Sequence, residues 1–163
     1  MNNQIILFTD GSTNPQSKIG YGAYLAVTDT DHSVDSLKKL VKVKRFEDTS
    51  STKLELQTLL WALEDIKPEE KKVILYTDSQ NIIGLLGRRD HFVKNNYYSK
   101  NGKRIANFEL YQEFFRITDQ LDCKILKVKG HKKSNQKENT DRLFTLVDRA
   151  SRKALRDDTF QNK

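Results

Sequence analysis

Two apolar segments of this chain each lead directly into a Thr-Asp pair, and this repeated arrangement constrains the fold more than any other feature. Gln4–Phe8 precedes Thr9-Asp10-Gly11-Ser12, and Lys72–Thr77 ends in Thr77-Asp78-Ser79-Gln80. Short apolar runs before a turn signal predict strands. An Asp at the end of a strand in an open α/β sheet points into the crevice where such sheets bind ligands. Either Asp alone is more typical of a turn or a helix cap, but the pair predicts a site.

The spacing of apolar residues in the rest of the chain predicts a mixed sheet flanked by helices. We expect strands at residues 20–27, 40–46 and 124–128, and helices at residues 53–66, 81–86, 106–120 and 140–156. Helices that alternate with strands imply parallel crossover connections, whereas the first strands are spaced as hairpins. No internal repeat or linker interrupts the sequence, so one α/β domain is expected over residues 1–163.

Composition excludes several classes of protein. The 36% hydrophobic and 31% charged residues are ordinary for a globular domain, and no apolar run is long enough to form a membrane helix. The first residues lack the basic and apolar stretches of a secretion signal, and the single cysteine, Cys123, cannot form an internal disulfide. A cytoplasmic protein without a membrane segment is therefore expected.

Positive charge is concentrated in two segments, which suggests an anionic partner. Residues 88–109 and 124–137 together hold 12 Lys and Arg but two acidic residues, whereas the whole chain carries a net charge of +7. Either segment alone could be a solvated loop. The first also contains Phe92, Tyr97 and Tyr98, and basic residues beside aromatics are typical of a nucleic-acid surface.

A third acid, Glu55, lies near the start of the predicted helix at residues 53–66. It could be a plain first-turn acid that the helix dipole favours. If it shares one crevice with Asp10 and Asp78, the three carboxylates repel one another and raise their own pKa values, so the arrangement favours bound cations. Oxygen ligands alone select a hard ion such as Mg²⁺, which retains water and binds substrate phosphate oxygens. Beside a basic surface, these acids indicate metal-assisted phosphodiester chemistry.

Five segments, in this order and spacing, resemble the motifs of the type 1 ribonucleases H, and the match covers most of the chain. They are Thr9-Asp10-Gly11-Ser12 with Asn14-Pro15 and Gly20-Tyr21-Gly22-Ala23, then Thr52-Lys53-Leu54-Glu55-Leu56, Leu75-Tyr76-Thr77-Asp78-Ser79-Gln80, Lys127-Val128-Lys129-Gly130-His131, and Val147-Asp148-Arg149-Ala150-Ser151-Arg152. The resemblance implies the ribonuclease H-like fold, a mixed five-stranded sheet flanked by helices.

The resemblance also implies an endonuclease that hydrolyses the RNA strand of RNA–DNA hybrids and leaves 3′-hydroxyl and 5′-phosphate ends. Its metal ligands would be Asp10, Glu55, Asp78 and Asp148. These acids would hold two Mg²⁺ ions, with Mn²⁺ as the alternative. His131 would transfer a proton or help the product and metal leave.

Positions at which the family contacts the substrate fall here on small or polar residues. They are Gly11, Ser12, Asn14, Ser51, Thr52, Gln80 and Asn107. Residues 88–104 resemble the basic protrusion with which the family grips the DNA strand, and Lys100, Lys103 and Arg104 are its expected phosphate contacts. The expected partner is an RNA–DNA hybrid. Since no hybrid-binding or polymerase domain is seen, a stand-alone monomer is expected.

Three features depart from the usual pattern of the family. Ser51 and Thr52 stand where asparagines usually precede the Glu. The basic protrusion has no tryptophan, since the only one, Trp61, falls on a predicted helix and is expected in the core. The interval before the last motif is long, which makes Asp141 a rival of Asp148 as the fourth ligand. Asp148 is favoured because the motif continues after it, whereas Asp141 is typical of an N-cap or first-turn acid.

Two other functions stay open on the sequence alone. One is a non-catalytic nucleic-acid-binding module that has kept the fold, although all four acids are present. The other is a different nuclease of the same fold, such as a junction resolvase or a 3′–5′ exonuclease. The His131 motif and the basic protrusion match the type 1 pattern rather than those nucleases.

Overall fold

Five strands form one mixed sheet in the order β3-β2-β1-β4-β5. The computed structural model of the protein describes residues 4–30, 33–69, 71–128 and 139–161. The strands are β1 (Gln4–Asn14), β2 (Ile19–Val27), β3 (Lys42–Phe46), β4 (Lys72–Thr77) and β5 (Cys123–Lys127). The first three pair antiparallel, while β4 pairs parallel with both β1 and β5. The predicted mixed five-stranded sheet is confirmed.

Helices cover both faces of this sheet. They are α1 (Val34–Lys38), α2 (Ser51–Ile66), α3 (Gln80–Ile83), α4 (Arg89–Lys94), α5 (Phe108–Asp119) and α6 (Asn139–Gln161). Because alternate residues of a strand point to opposite faces, β1 supplies Leu7 to a core with α2 and α5, and Phe8 to a second core with α1 and α6. Trp61 packs against the first core, as predicted. None of the helices in the described residues is both long and apolar enough to cross a bilayer.

The start of α2 shows why the sequence folds as it does near the site. The Ser50 hydroxyl accepts a hydrogen bond from the backbone N–H of Lys53 at 3.4 Å, which caps the helix. The helix ends at Lys67, which adopts a left-handed conformation (φ 44°) directly before Pro68. Since α2 begins at Ser51, Glu55 lies in its second turn. The first-turn position considered for Glu55 is therefore wrong, and the helix dipole does not explain the acid.

Two glycines bring α2 close to the sheet. Gly11 of β1 pairs with Gly22 of β2, and a Cβ at Gly11 would lie 2.7 Å from a methyl carbon of Leu54. A Cβ at Gly22 would lie 2.1 Å from the Thr58 hydroxyl oxygen. Any larger residue would push α2 away, so these glycines set the depth at which α2 presents Glu55 beside β1.

Some boundaries differ from the sequence-based prediction. β1 does not end at Phe8, because its hairpin with β2 continues to Asn14 after its parallel pairing with β4 has stopped at Phe8 and Tyr76. The short helices α1 and α4 were not predicted, and α6 runs to Gln161 rather than to about Arg156. The predicted helix at residues 81–86 is shorter and is followed by a 3₁₀ turn at Leu86–Arg88.

Candidate active site

Two carboxylates lie side by side at one edge of the sheet. The last parallel pair between β1 and β4 joins Phe8 to Tyr76, and Asp10 and Asp78 each follow two residues later. Asp10 is held in the β1–β2 hairpin opposite Ala23, while Asp78 follows the end of β4 and retains solvent exposure. The strand register therefore brings together the two acids that the sequence pairs.

A third acid, Glu55, reaches this edge from α2. Asp10, Glu55 and Asp78 line one small cavity together with Thr58 and Thr77. The Ser79 hydroxyl donates a hydrogen bond to Glu55 Oε2 at 2.5 Å. The same hydroxyl accepts one from the Ile82 backbone N–H at 3.2 Å and so caps α3. Ser79 therefore fixes the Glu55 carboxylate relative to the turn that carries Asp78.

The fourth acid, Asp148, comes from α6 on the other face of the sheet. Arg152, one turn later, donates from Nε to Asp148 Oδ1 at 2.9 Å. The Ser151 hydroxyl donates to the Asp148 carbonyl at 3.0 Å and lies 3.1 Å from the Ser12 hydroxyl of β1. Ser151 is fully buried, so this bond fixes α6 against β1 beside Asp10.

The carboxylates perturb one another. Burial, the charge of Asp78 and the adjacent Asp148 carboxylate raise the pKa of Asp10 from 3.8 to about 8. Partial burial and the charge of Asp148 also raise the pKa of Asp78, while Arg152 opposes that shift. Burial raises the pKa of Glu55, against the hydrogen bond from Ser79. Gathering these acids is therefore unfavourable unless positive charge is brought to them.

The donor set fits a hard divalent cation. Every acid at this edge offers oxygen alone, and the raised pKa of Asp10 reflects negative charge that a cation would compensate. Within the described residues, no three of these side chains close on one point as a ready-made cage. An open arrangement suits Mg²⁺, which keeps several waters and uses one or two carboxylates together with substrate oxygens.

Some residues expected to contact substrate are exposed, whereas others already make contacts within the protein. Ser51 and Thr52 are exposed at the start of α2, and Gln80 is exposed at the start of α3, two residues after Asp78. The Ser12 hydroxyl is already bonded to Ser151. Asn14 accepts hydrogen bonds from two backbone N–H groups of the following turn. Gly11 has a packing role against α2, described above.

The basic protrusion contains a small stacked unit. Tyr98 and Arg104 face each other across a short bridge, and the Arg104 guanidinium lies 4.8 Å from the Tyr98 ring and 4.5 Å from the Phe108 ring. Lys100 and Lys103 are exposed in the intervening turn. Asn107 precedes α5 in a left-handed conformation (φ 66°).

The aromatic residues of this protrusion were only partly predicted. Phe92 and Tyr97 are each 7% exposed and stack among Tyr111, Phe115 and Phe108, so their assignment to a nucleic-acid surface is wrong. Their rings anchor the protrusion to α5, because burying a large aromatic side chain is more favourable than exposing it to water. Tyr98, at 45% exposure, remains available on the surface.

The remaining candidates are less directly placed. His131 lies outside the described residues. Asp141 is buried in the first turn of α6, which agrees with its interpretation as a first-turn acid. Asp148, and not Asp141, is among the groups that raise the pKa of Asp10.

Three residues that position the acids were not assigned a role from the sequence. Ser79 was seen only as part of a motif, although a Ser directly after a strand-end Asp is a cap signal. Arg152 is four residues after Asp148, the spacing of a helical ion pair. Ser151 was also seen only as part of a motif, since its partner Ser12 is remote along the chain.

The sequence is similar to known proteins over most of its length. Residues 2–154 match the family model described as RNase H. The Ribonuclease H of Acetivibrio thermocellus is 30% identical over 146 residues, which are 87% of this chain and 92% of that protein. The Ribonuclease H of Ruthia magnifica is 30% identical over 147 residues, which are 89% of this chain and 95% of that protein.

A solved structure supports the fold independently. The foamy viral protease-reverse transcriptase in complex with dsDNA aligns with a TM-score of 0.61 over 91% of this chain and 92% of that chain. Sequence identity in this alignment is 10%, so the likeness concerns the arrangement of strands and helices alone.

Proposed function

Because the chain belongs to the RNase H family, we propose that it is an endonuclease that hydrolyses the RNA strand of RNA–DNA hybrids and leaves 3′-hydroxyl and 5′-phosphate ends. The observation that carries this proposal is the shared cavity of Asp10, Glu55 and Asp78, with Asp148 beside Asp10. Four acids, carried by β1, α2, the turn after β4 and α6, meet at one edge of the sheet. Their mutual repulsion has no structural benefit, which favours a chemical role.

The acids are the proposed ligands of two divalent ions. Mg²⁺ is the expected metal, and Mn²⁺ also suits oxygen donors. When bound, such ions supply an activated water and stabilise the leaving 3′ oxygen of an in-line displacement. Metal ligands from separate elements keep their geometry only when each is held in place. Ser79 holds Glu55, and Arg152 holds Asp148.

Substrate selection is proposed to rest on short polar groups beside the acids. Ser51 and Thr52 precede Glu55 on α2, and Gln80 follows Asp78, so exposed donors flank two of the ligands in the chain. A 2′-hydroxyl is what distinguishes RNA from DNA at such positions. Gly11, Ser12, Asn14 and Asn107 complete the proposed contacts.

The remaining parts of the proposal concern binding of the DNA strand, proton transfer by His131, and the oligomeric state and location of the protein. Lys100, Lys103 and Arg104 would hold the phosphates of the DNA strand, and the contact should weaken with salt. His131 would transfer a proton or assist product release. We propose that the protein acts as a monomer in the cytoplasm.

A substrate panel tests the proposal. The wild-type protein, in Mg²⁺ or in chelator, is incubated with a labelled RNA–DNA hybrid and with matched RNA–RNA, DNA–DNA and single-stranded controls. We expect Mg²⁺-dependent cuts in the RNA strand of the hybrid alone, with 3′-hydroxyl ends. Binding without cutting would indicate a non-catalytic module, and cutting of another substrate would indicate a different nuclease of this fold.

The fourth ligand has its own test. Asp148→Asn and Asp141→Asn change the same residue type on the same helix, seven positions apart. We expect Asp148→Asn to abolish cleavage and Asp141→Asn to retain it in a folded protein. The reverse result would assign the metal to Asp141.

A further inference from the structure

A groove runs along α6 on the face of the sheet that this helix covers. One wall is formed by residues 34–43 of α1 and the start of β3, and the other by residues 146–157 of α6. Its volume is about 770 Å³. Two valines, Val34 and Val43, are 36% and 40% exposed in its wall. We refer to this feature as the α6 groove.

The α6 groove is strongly basic. Five cations line it, against the two acids Asp35 and Asp157. The cations are Lys38, Arg149, Arg152, Lys153 and Arg156. Arg152 pairs with Asp148, and Lys153 pairs with Asp157. Within the described part of the chain, Lys38, Arg149 and Arg156 have no acidic partner, so three positive charges are left for an external anion.

The unpaired arginines form a row on α6. Arg149 and Arg156 line the groove, and Arg142, seven residues before Arg149, extends the row outside it; all three are exposed. In a helix this spacing returns nearly to the same side, with a drift of about 20° per step. Successive arginines are then about 10 Å apart along the axis, and the row spans about 21 Å. Within the groove, Arg149 and Arg156 are therefore spaced to contact two separate phosphates of one strand.

The α6 groove begins at the candidate active site. Arg152, which lines the groove, is bonded to Asp148 at 2.9 Å. Arg149 lies directly beside Asp148 in the chain and also lines the groove. Through Arg149 and Arg152, the groove therefore adjoins the acids.

Charge and shape favour one kind of occupant. Guanidinium groups bind phosphate oxygens through two parallel hydrogen bonds, and a regular row of them matches a regular row of phosphates. A positively charged groove that tracks one backbone is the usual site for a single strand, whereas a duplex needs a wider surface. The exposed valines offer apolar contact to sugars or bases.

We propose that the α6 groove binds the phosphate backbone of a single strand that continues from the hybrid beyond the cleavage site. The inference rests on the proposed function, because it assigns an extension of that substrate. Its consequence is that hybrids with single-stranded extensions are bound more tightly than blunt hybrids of the same duplex length.

Fluorescence anisotropy in chelator tests this directly, since no cleavage then occurs. The probes are a blunt RNA–DNA hybrid and the same hybrid with a single-stranded extension at one or the other end. We expect the wild-type protein to bind one extended probe about tenfold more tightly, and with a steeper salt dependence, by about 1.4 in the log–log slope for two phosphate contacts. The groove variant Arg149→Glu/Arg156→Glu should lose this gain.

A matched control separates the groove from net charge. Lys67→Glu/Lys72→Glu makes the same change in charge where α2 ends and β4 begins, away from the acids at the other end of β4. This control should keep the gain from the extension. Circular dichroism checks the fold of every variant, and the milder pair Arg149→Gln/Arg156→Gln replaces the charge reversal if the first variant fails to fold.

The possible outcomes are distinct. No gain from the extension in wild type, or an equal gain in the folded groove variant, would overturn the inference. Tighter binding of a poly-glutamate peptide than of the extension, lost in the groove variant, would overturn it in favour of an acidic protein partner. Failure to cut the blunt hybrid in Mg²⁺ would instead contradict the proposed function. The groove would then be tested by comparing how tightly the wild-type protein and the groove variant bind the isolated extension strand.

Discussion

Replacing Asp10 by Asn should stabilise the protein when divalent ions are absent. Burial and the neighbouring carboxylates raise the pKa of Asp10 from 3.8 to about 8. At pH 7 the unfolded chain has released this proton, whereas the folded protein retains it, so folding must take up a proton. One pKa unit corresponds to about 1.36 kcal/mol, so the penalty at pH 7 is on the order of 4 kcal/mol, and a neutral Asn removes it.

The sign of the effect depends on pH in a defined way. Below about pH 3 the carboxyl is protonated in both states, so the wild-type and Asp10→Asn proteins should have nearly equal free energies of unfolding. Because the folded-state pKa is the higher one, the wild-type protein should lose stability relative to the variant as pH rises from about 4 to 8. Above that range the difference should be constant.

Urea unfolding in chelator, followed by circular dichroism at several pH values, measures this difference. In Mg²⁺ the gap should narrow, because an ion at 100 times its dissociation constant stabilises the wild-type protein by about 2.7 kcal/mol and the variant binds it less well. A variant of unchanged stability at pH 7, or a difference that does not vary with pH, would contradict a raised pKa of Asp10 in the folded protein.

Other substitutions test how Glu55 is held, how α2 packs, and what the basic protrusion and His131 do. Ser79→Ala should raise the Mg²⁺ concentration for half-maximal cleavage by about tenfold, because Glu55 loses the hydroxyl that holds it. Ser79→Thr keeps a hydroxyl and should not have this effect. Equal effects of the two variants would contradict the role of the hydroxyl. Gly22→Ala should lower the free energy of unfolding by about 1 to 3 kcal/mol in urea titrations, since the new Cβ would clash with the Thr58 side chain of α2. Lys100→Glu/Lys103→Glu should weaken hybrid binding and reduce the salt slope by about 1.8, and an unchanged slope would indicate a solvated loop. His131→Ala should slow turnover by roughly 100-fold without ending it, and complete loss in a steady-state assay would contradict a proton-transfer role.

Much of the fold follows from local patterns. The strands at the site were predictable because an apolar run followed by a turn signal is a local property of the chain. The two Asp residues could be placed at one edge because parallel strands end together, and the register of β1 with β4 confirms that expectation. The apolar spacing likewise predicted this helix from residue 53, two residues after Ser51, where α2 begins.

The remainder depends on contacts between distant parts of the chain. β1 continues to Asn14 because it pairs with β2, and the apolar run that ends at Phe8 does not predict this pairing. Phe92 and Tyr97 could not be separated from exposed aromatics by their basic neighbours, because their burial depends on α5. The bond between Ser12 and Ser151 joins residues 139 positions apart, so no local pattern could have predicted it.

Magnesium-dependent cleavage of the RNA strand of a hybrid, compared between the wild-type and Asp78→Asn proteins, shows directly whether these carboxylates carry the reaction. The substitution removes one charged ligand with little change in volume, and Asp122→Asn, an exposed acid before β5, is the matched control. We expect the wild-type and Asp122→Asn proteins to cut the RNA strand in Mg²⁺ but not in chelator, and folded Asp78→Asn to be inactive. Turnover by Asp78→Asn at the wild-type rate would contradict the assignment of these carboxylates to the reaction.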